Sequence, residues 1–293
     1  MSFPASTGYN PFPMDVEIRD FEGYELLASG DGRKLERFGD MLLDRPAPQA
    51  IWPADEDAPW SDVASVFKRG EGGSGDWKSR SKSPPDSWRV RIDSLTFEIR
   101  LTGFGNVGLF PEHTSHWSWM TEKLRTREGA EVLNLFAYTG GASIACAKSG
   151  ARVTHVDAAK SVNGWAIVNG KLSKTPKGAI RYLADDALKL ARRELRRDRR
   201  YDGIIIDPPT FGRGAKGEVW KIERDLHALC EVCRSLLTPD PLFVLLTSHS
   251  PGVTPRVLDT MLSSFGGATE AGEMLLKGGG PPLPAGAYVR WTP

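Results

Sequence analysis

Residues 131–141 read EVLNLFAYTGG, and they indicate the fold class of the protein. A short apolar run ends in a Tyr-Thr-Gly-Gly turn, and a segment of small residues follows at once. An apolar run bounded by glycine is typical of a buried parallel strand, and the small residues predict the crossover helix after it. Such a junction presents free backbone N–H groups at the carboxyl end of a strand, where open α/β sheets bind ligands. We therefore expect a ligand site at Gly140 and Gly141.

Strand-like and helix-like patterns alternate from Glu131 onward. Strands that alternate with helices of about 10–15 residues predict βαβ units, right-handed crossovers and a parallel sheet. Two closing strands near the end of the chain bring the expected sheet to seven strands. The expected fold class is a doubly wound, mostly parallel α/β sheet. The predicted strands cover 132–136, 152–157, 179–186, 201–209 and 241–248, and the predicted helices 140–149, 159–173, 187–199, 219–237 and 254–265.

The first hundred residues show no such alternation. Short apolar pieces between Gly-Asp turn signals, and the period-two alternation of residues 88–102, predict small strands and hairpins. Residues 68–87 are rich in Gly, Ser, Pro and charge, a composition typical of a flexible loop or linker. We therefore divide the chain into a β-rich accessory region, residues 1–104, and a main domain, residues 105–293.

Composition excludes several classes of protein. With 40% hydrophobic and 26% charged residues among 293, the chain is typical of a globular protein with a large core. The net charge of +1 neither favours nor excludes a nucleic-acid partner. No apolar run approaches the roughly 20 residues of a membrane-spanning helix, and the first residues resemble no signal peptide. Since the three cysteines are also too few for a disulfide framework, we expect a cytoplasmic protein without membrane association.

Acidic residues close the strands that follow the glycine turn. Asp157 ends the second predicted strand, where a carboxylate can accept both hydroxyls of a ribose. Asp185 and Asp186 end the third strand, and Asp207 ends the fourth. Each alone is as well explained by a turn or a helix cap, but the set is not. The G-x-G-x-x-G pattern of dinucleotide sites is absent, so the acidic residues indicate an adenosine ligand without a pyrophosphate.

Five short motifs along the chain carry a family resemblance. With them the chain resembles class I S-adenosylmethionine-dependent methyltransferases over about residues 105–250. More closely, it is similar to the bacterial large-subunit (23S) rRNA methyltransferases that act on cytosine C5 or guanine N7. The resemblance implies a Rossmann-like methyltransferase fold, S-adenosylmethionine as cofactor, and RNA (ribosomal RNA or its precursor) as partner. The motifs are GLFPEH (108–113), NLFAYTGG (134–141), HVD (155–157), DDA (185–187) and DPPTF (207–211).

The resemblance also implies roles for single residues. Asp157, with Ala158 beside it, would hold the ribose hydroxyls, and Asp186 would bind the adenine amino group. Asp207 would lie beside the methyl donor, and Phe211 would stack on the target base. The residues that the resemblance assigns to cofactor binding are Phe110, His113, Asn134, Phe136, Ala137, Tyr138, Thr139, Gly140, Gly141, Asp157, Ala158, Asp185, Asp186, Asp207 and Pro208.

The positions of the cysteines help to predict which atom of the base is methylated. Methylation of a pyrimidine C5 needs a cysteine that adds to the ring, and relatives with that activity carry it after the Pro-Pro or at the end of the fifth strand. Those positions hold Thr210 and Ser248–Ser250, and the three cysteines fall in predicted helices. We therefore expect noncovalent in-line transfer, with Asp207, Phe211 and His249 as catalytic residues. His249 is either a general base or a hydrogen-bonded structural residue.

Basic segments are candidates for contact with RNA. The arginine-rich run 192–200 lies at the far end of a helix that begins at the ligand edge of the sheet, so it predicts a solvated helix end. Lys68–Lys82, which includes Trp77, is either the loop named above or a basic arm that closes over an RNA substrate. Arg213 and Lys216 follow the DPPTF motif and predict a mobile basic lip over the substrate.

Other interpretations remain open at this point. His113 and His116 have the spacing of metal ligands on a helix, but no third ligand accompanies them, so we expect no metal. A nicotinamide-dependent oxidoreductase would use the same type of sheet. A methyltransferase that acts on a substrate other than RNA, and a cofactor-binding protein without catalysis, are further alternatives. The oligomeric state is not predicted.

Overall fold

The N-terminal region consists of short β-strands joined by tight turns, as its turn signals predict. The computed structural model describes residues 15–18, 21–70, 74–80, 85–214 and 217–293. The strands of this region are β1 (Val16–Ile18), β2 (Tyr24–Gly30), β3 (Arg33–Phe38), β4 (Met41–Pro46), β5 (Ser65–Arg69), β6 (Gly75–Ser79), β7 (Trp88–Ile92) and β8 (Leu95–Ile99).

Two sheets are built from these strands. Strands β2 to β6 form a five-stranded sheet in sequence order, and β7 and β8 form a separate hairpin. In β8 the apolar residues Leu95, Phe97 and Ile99 are buried and alternate with two half-buried polar residues. This period of two is what a strand with one face on the core requires.

A buried ion pair holds the five-stranded sheet together. The Glu36 carboxylate accepts hydrogen bonds from Arg45 Nη1 at 2.8 Å and from the Tyr24 hydroxyl at 3.0 Å. Lys34 Nζ lies 3.0 Å from the same carboxylate. Burial opposes the ionisation of Glu36, but Arg45 and Lys34 outweigh it and lower the pKa of Glu36. Because Arg45 Nε also donates to the Gly105 carbonyl at 2.9 Å, β4 is joined to the segment that precedes the large sheet.

The prediction of a flexible loop over 68–87 is wrong for β6 and for the end of β5. The two strands pair antiparallel. Trp77, the aromatic residue of the alternative basic arm, packs on Phe67 with ring centroids 5.2 Å apart. Its Nε1–H donates to the Thr102 carbonyl at 2.8 Å. These contacts give a polar segment one packed face, so Trp77 belongs to a hairpin and not to an arm.

Strands and helices alternate in the rest of the chain, as predicted. A 3₁₀ turn precedes the first helix, and another follows the last. The elements are the turn Pro111–His113, α1 (Thr114–Leu124), β9 (Glu131–Leu135), α2 (Gly141–Lys148), β10 (Arg152–Asp157), α3 (Lys160–Leu172), β11 (Ile180–Ala184), α4 (Ala187–Arg196), β12 (Gly203–Ile206), β13 (Phe211–Arg213), β14 (Val219–Lys221), α5 (Ile222–Leu236), β15 (Phe243–Ser248), α6 (Pro255–Leu262), the turn Ser263–Phe265, β16 (Ala268–Leu276) and β17 (Leu283–Thr292).

The large sheet has the strand order β1-β16-β17-β15-β12-β9-β10-β11. Strands β9, β10, β11, β12 and β15 pair in parallel, whereas β17 is antiparallel to both β15 and β16. The doubly wound, mostly parallel α/β fold and the two closing strands are therefore confirmed. The structure adds an eighth strand to the seven predicted. Strand β1 pairs in parallel with β16, and its apolar Ile18 is buried in the core.

Helices cover both faces of this sheet. Met120 of α1 and Ile144 of α2 belong to one buried cluster, and Leu190 of α4, Leu229 of α5 and Leu258 of α6 belong to another. The strand order reverses at β9, which has β10 on one side and β12 on the other, and ligands bind at such switch points. None of the helices that the structure describes combines the length and the apolar character needed to cross a membrane.

Candidate active site

The turn after β9 is held in a strained conformation. Phe136 (φ 57°) and Tyr138 (φ 49°) adopt left-handed backbone conformations, which cost energy for residues other than glycine and cluster at functional sites. The Tyr138 amide donates to Asp157 Oδ2 at 3.0 Å, and the Ala137 amide donates to the Val156 carbonyl at 2.9 Å. The end of β10 therefore fixes the backbone of the turn after β9.

Close packing explains the glycine pair at the start of α2. Gly140 adopts φ 94°, a conformation that favours glycine, and a Cβ on Gly141 would lie 2.4 Å from Cζ2 of Trp117. The hydroxyl of Thr139 donates to the Gly108 carbonyl at 2.6 Å. The turn is thus packed directly on the segment that leads into α1.

Two adjoining cavities lie at the carboxyl edge of the sheet. The smaller, of about 60 Å³, is enclosed by the glycine turn and is called the turn pocket below. The larger, the strand-end cavity, has about 610 Å³, which is in the range of ligand pockets. Phe110, Phe136, Tyr138 and Asp207 line both. The other predicted cofactor residues divide into Asp157, Ala158, Asp185, Asp186 and Pro208 at the strand-end cavity, and His113, Asn134, Ala137, Thr139, Gly140 and Gly141 at the turn pocket.

Asn134 is engaged inside the protein. Its amide Nδ2 donates to Ser143 Oγ at 2.9 Å, and Ser143 Oγ lies 2.9 Å from His155 Nδ1. All three side chains are buried, and burial lowers the pKa of His155 to about 3. The Asn134 side chain therefore ties β9 to α2 and β10, although the residue also lines the turn pocket.

Asp157 supports the turn and still has acceptor capacity. One carboxylate oxygen accepts from Tyr138 N at 3.0 Å and the other from Ala159 N at 2.9 Å. Burial raises the pKa of Asp157, and these two hydrogen bonds oppose that shift. A carboxylate has about four lone-pair sites. Two therefore remain for the pair of ribose hydroxyls predicted to bind there.

The two acidic residues after β11 have structural partners as well. Asp186 is the N-cap of α4 and accepts from Lys189 N at 2.8 Å, which satisfies one of the free N–H groups of the helix. Asp185 Oδ2 accepts from Arg193 Nη1 at 2.6 Å, and its Oδ1 accepts from Asp186 N at 3.0 Å. Each oxygen of Asp185 thus accepts one hydrogen bond, whereas the N-cap bond engages a single oxygen of Asp186, and both carboxylates keep acceptor capacity toward the cavity that they line.

Asp207 lies in the wall between the two cavities. Its Oδ2 is 3.3 Å from His113 Nε2, and its Oδ1 accepts from the Thr247 hydroxyl at 2.6 Å. Burial opposes the ionisation of Asp207, but His113, His249 and Thr247 outweigh it and hold the pKa of Asp207 far below its usual range. Burial also opposes protonation of His113, but Asp207 outweighs it and raises the pKa of His113. The pair therefore favours its ionised form, with the Asp207 charge facing both cavities.

His249 is oriented by a backbone carbonyl. Its Nδ1 lies 2.7 Å from the Ala285 oxygen, so this nitrogen carries a hydrogen and donates it. In the neutral ring, Nε2 then keeps a lone pair, 3.3 Å from His113 Nε2 and 3.8 Å from Asp207 Oδ1. Both predicted roles of His249, general base and hydrogen-bonded residue, fit this geometry.

His113, Asp207 and His249 bring three atoms of the metal-ligating type within 4.8 Å of one another. Each of these atoms has another member of the group as a neighbour, so hydrogen bonding accounts for the cluster. The pair suggested by sequence spacing does not form, because His116 is buried and its Nδ1 accepts from Arg290 Nε at 3.2 Å. Burial and the Arg290 charge lower the pKa of His116 well below its usual value. The absence of a metal stays a prediction.

An unpredicted hairpin, β13–β14, follows Pro209. Trp220 is on its inner face, with its ring centroid 4.8 Å from that of Phe136 and its Nε1–H donating to the Pro209 carbonyl at 2.7 Å. Phe211 is 49% exposed and lines neither cavity. The Arg213 guanidinium lies 5.8 Å from the centre of its ring. The ring predicted to stack on the target base thus lies outside the cavities that the other predicted residues line.

Several residues around the strand-end cavity escaped the sequence analysis. Thr247 orients Asp207, and the hydroxyls of Thr210 and Ser250 lie 2.7 Å apart. The hydroxyl residues at the end of β15 and directly after it were the available signal for Thr247 and Ser250. Arg69 belongs to the basic segment Lys68–Lys82 that the sequence singles out, whereas no local signal marks Asn106 at the junction with the accessory region. The wall residues for which the sequence predicts no role are Asn106, Thr210, Trp220 and Ser250.

The three cysteines are not in a reactive state. Cys146 in α2 and Cys230 and Cys233 in α5 are all fully buried and free. Burial raises the pKa of Cys146 and of Cys230 to about 12, and raises the pKa of Cys233 well above its usual value. Because the thiolate is the nucleophilic form, these residues serve packing. The prediction that all three fall in helices is confirmed.

The basic segments differ in their surroundings, because they occupy different positions in the fold. The arginine-rich run 192–200 ends in exposed residues, as the predicted solvated helix end requires, and Arg197 and Arg199 also pair with Glu194. Arg213 is in the wall of the strand-end cavity. Lys82 and Lys216, two of the predicted RNA-contacting residues, lie outside the residues that the structure describes.

Comparison with known proteins gives a consistent result. A family model described as S-adenosylmethionine-dependent methyltransferase matches residues 66–261. The chain is 36% identical to a solved structure, the SAM-dependent methyltransferase from Agrobacterium tumefaciens, with a TM-score of 0.91 and coverage of 96% of this chain and 94% of that one. A protein solved in complex with SAH is 17% identical with a TM-score of 0.71, covers 92% of this chain and 76% of that one, and supports the fold alone.

Curated relatives match a smaller part of their own length. The chain is 30% identical over 184 residues to the ribosomal RNA large subunit methyltransferase K/L of Syntrophotalea carbinolica, which covers 62% of this chain and 25% of that protein. It is 35% identical over 162 residues to the protein of the same name from Hahella chejuensis, which covers 55% of this chain and 22% of that protein. The chain thus spans about a quarter of the length of these relatives.

Proposed function

Because the chain belongs to the S-adenosylmethionine-dependent methyltransferase family, we propose that it transfers the methyl group of S-adenosylmethionine to a base of ribosomal RNA. Family membership gives the cofactor and the enzyme class, and it excludes the nicotinamide-dependent alternative. RNA as substrate is the proposal. It is supported by the names of the curated relatives and by the surface beside the strand-end cavity.

The two cavities fit this cofactor. The strand-end cavity has the volume of a ligand pocket, Asp157 has two acceptor sites to spare, and Asp207 provides a negative charge that complements a sulfonium. When bound, S-adenosylmethionine supplies an electrophilic methyl group on that sulfonium. We assign the methionine part to the turn pocket at Gly140 and Gly141, the ribose to Asp157, and the adenine amino group to Asp186.

The observation that carries the RNA proposal is the outer face of the β13–β14 hairpin. Phe211 is a large apolar ring left 49% exposed directly after the Asp-Pro-Pro segment, and Arg213 lies beside it and in the cavity wall. Single-stranded nucleic acids bind to such combinations, since bases stack on aromatic rings and arginine neutralises phosphates. We therefore reassign Phe211 from the target base to a neighbouring nucleotide.

The residues at the site favour noncovalent transfer. No cysteine is near the cavities, and the three cysteines, all of them described, are buried with raised pKa values. In-line transfer then depends on positioning the target atom and on taking up a proton where that atom carries one. We propose that Nε2 of His249 takes up this proton. We propose that Asp207 holds His113 in place and acts on the cofactor side of the site.

Transfer of tritiated methyl groups tests the proposal. The purified protein is incubated with labelled cofactor and, separately, with total RNA, total protein and a small-molecule extract. We expect label in the RNA fraction, removable by ribonuclease. Label confined to protein or small molecules would contradict RNA as substrate, and absence of label from all three would contradict catalysis.

A cytoplasmic location goes with this function. Ribosomal RNA is modified where ribosomes are made, and three unpaired, buried cysteines are typical of proteins from a reducing compartment. A fusion of the chain to a fluorescent protein should therefore distribute through the cytoplasm. Export of the fusion from the cytoplasm would contradict this assignment.

A further inference from the structure

A third cavity, of about 710 Å³, lies between the N-terminal sheet and the carboxyl edge of the large sheet. We call it the N-terminal cleft. Its wall includes Lys34 and Arg45 from the small sheet and Ala285 from the end of the chain. The cleft and the strand-end cavity share wall residues, so a group bound in the cleft lies next to the site assigned to the cofactor. The shared residues are Arg69, Asn106, Phe110, His249 and Ser250.

Glu112 is a buried carboxyl group in the wall of this cleft. The residue is only 5% exposed, and its Oε2 has no hydrogen-bond partner among the described residues. Its Oε1 is 3.7 Å from His249 Nδ1, but the hydrogen of that nitrogen goes to the Ala285 carbonyl at 2.7 Å. A buried carboxyl group without a donor is costly. Glu112 therefore requires donors that the described residues of the chain do not provide.

The mouth of the cleft has the character of a nucleic-acid surface. Arg69 at the end of β5 is exposed, and no ion pair is found for it among the residues described. Phe104, in the same wall, is 67% exposed. The two other basic residues of the wall, Lys34 and Arg45, are engaged by Glu36. Arg69 is therefore available for a phosphate and Phe104 for a stacked base.

We propose that the N-terminal cleft is the subsite for the target nucleoside, and that Glu112 accepts hydrogen bonds from N–H groups on the Watson–Crick edge of its base. The inference rests on the proposed function, since it names the part of the RNA that enters the site. Glu112 is then a specificity-determining residue. His249, which lies between Glu112 and Asp207, contacts the same base on the side of the methyl donor.

The hydrogen-bonding groups of the four bases predict an order of affinity for Glu112. Guanine presents N1–H and an amino group side by side, which match the two oxygens of one carboxylate. Cytosine and adenine present one amino group each. Uracil presents a single N–H between two carbonyl oxygens, which repel a carboxylate. We therefore expect affinity to fall from guanine through cytosine and adenine to uracil.

Binding of short RNA probes tests this ranking. Four fluorescein-labelled uridine heptamers, with G, C, A or U at the central position, are titrated with protein saturated with S-adenosylhomocysteine, and anisotropy is recorded. For the wild type we expect the G-centred heptamer to bind at least about tenfold more tightly than the U-centred one. In Glu112→Gln the difference should fall to about twofold or less. The matched control Glu128→Gln, an exposed residue after α1, should keep the wild-type ranking.

A second pair of variants tests the mouth of the cleft. Arg69→Glu should weaken the binding of all four heptamers by a similar factor, because a phosphate contact does not depend on the base. Arg196→Glu makes the same change of charge on the exposed end of α4 and should leave binding unchanged. Equal weakening by both variants would overturn the assignment of Arg69.

Three results would overturn the base assignment. One is a wild-type protein that binds the U-centred and G-centred heptamers equally, a result that needs no variant. Another is a Glu112→Gln protein that binds S-adenosylhomocysteine normally and keeps the full ranking. The third is a Glu112→Gln protein that loses affinity for all four heptamers equally. If methyl groups reach RNA but the ranking is flat, this inference fails and the proposed function stands. If none reach RNA, the proposed function fails.

Discussion

At the scale of single residues, the site depends on one carboxylate that is kept ionised. Asp207 is half-buried, and His113, His249 and the Thr247 hydroxyl hold its pKa far below the usual range. A carboxylate that stays charged in a partly dry site acts more strongly on a nearby cation than it would in water. Its position between the turn pocket and the strand-end cavity therefore suits a substrate with a positively charged sulfur.

Replacement of Asp207 by asparagine should separate catalysis from binding. Asn keeps the shape but removes the charge, so we expect the single-turnover rate of methyl transfer to fall by about 100-fold or more. Affinity for S-adenosylhomocysteine, which has no sulfonium charge, should change by less than about tenfold, as calorimetry measures. Asp198→Asn, on the surface at the end of α4, is the matched control. A rate within a few-fold of the wild type would show that Asp207 is not catalytic.

Chelators should leave the activity unchanged. His113, Asp207 and His249 satisfy one another by hydrogen bonds and an ion pair, so catalysis needs no ion at their centre. Dialysis against EDTA followed by the methyl-transfer assay should give the untreated rate. A loss of activity that zinc or another divalent ion restores would make the cluster a metal site instead.

At the scale of elements, helices α2 and α5 place the cysteines in the core. Cys146, Cys230 and Cys233 face the sheet and the neighbouring helices and not the cavities. Their positions follow from the helical spacing of small and apolar residues, which is why their placement on helices could be predicted from the sequence.

The triple variant Cys146→Ala, Cys230→Ala, Cys233→Ala should keep methyl-transfer activity within about twofold, because no thiolate takes part. Each substitution removes one buried sulfur, so the free energy of unfolding should fall by about 1 kcal/mol per site. Denaturant unfolding and the tritium assay measure the two effects separately. A folded variant that binds cofactor but transfers no methyl group would contradict noncovalent transfer.

The elements also show where sequence reasoning works and where it stops. Asp157 and Asp207 could be placed at one edge because parallel strands bring their carboxyl ends together. Phe211 could not be oriented, since the two strands of the hairpin that turns its ring outward have only three residues each, too few to show an alternating pattern. The contact of His113 with His249 joins two loops that are far apart in sequence, and no periodicity encodes such a contact.

At the scale of the whole molecule, the accessory region and the large sheet together form the wall of the N-terminal cleft. Arg45 donates to the Gly105 carbonyl, and Gln49 Nε2 donates to the Pro284 carbonyl at 2.7 Å, so the small sheet contacts both the start and the end of the main domain. The division of the chain at residue 104 does not predict these contacts, because composition describes local segments and not contacts between distant ones. The cleft for the target nucleoside depends on these contacts.

Global stability should depend on pH through His155. Burial lowers its folded pKa to about 3, below the unfolded value near 6.5, so the unfolded state takes up the proton first. The stability from His155 is thus fully present above about pH 6.5 and is lost as pH falls toward 3. The loss of this stability between pH 6.5 and pH 5 should amount to about 2 kcal/mol. Chemical unfolding across this range measures the slope.

The comparison that isolates this effect uses two glutamine variants. His155→Gln should lower stability at pH 7.5 but give a flatter dependence below pH 6.5, since the titrating group is gone. His227→Gln, at an exposed position of α5, should keep the wild-type slope. Equal slopes in all three proteins would mean that His155 is not held neutral by the fold.

Mass spectrometry of nucleosides tests whether the protein transfers a methyl group to a base of ribosomal RNA through Asp207. Ribosomal RNA is incubated with the protein and S-adenosylmethionine carrying a trideuterated methyl group, then digested to nucleosides. We expect one deuterated nucleoside with the label on its base and, at an early time point, at least about 100-fold less of it with Asp207→Asn than with the wild type. Label on ribose, no label at all, or equal labelling by the Asp207→Asn protein would contradict this expectation.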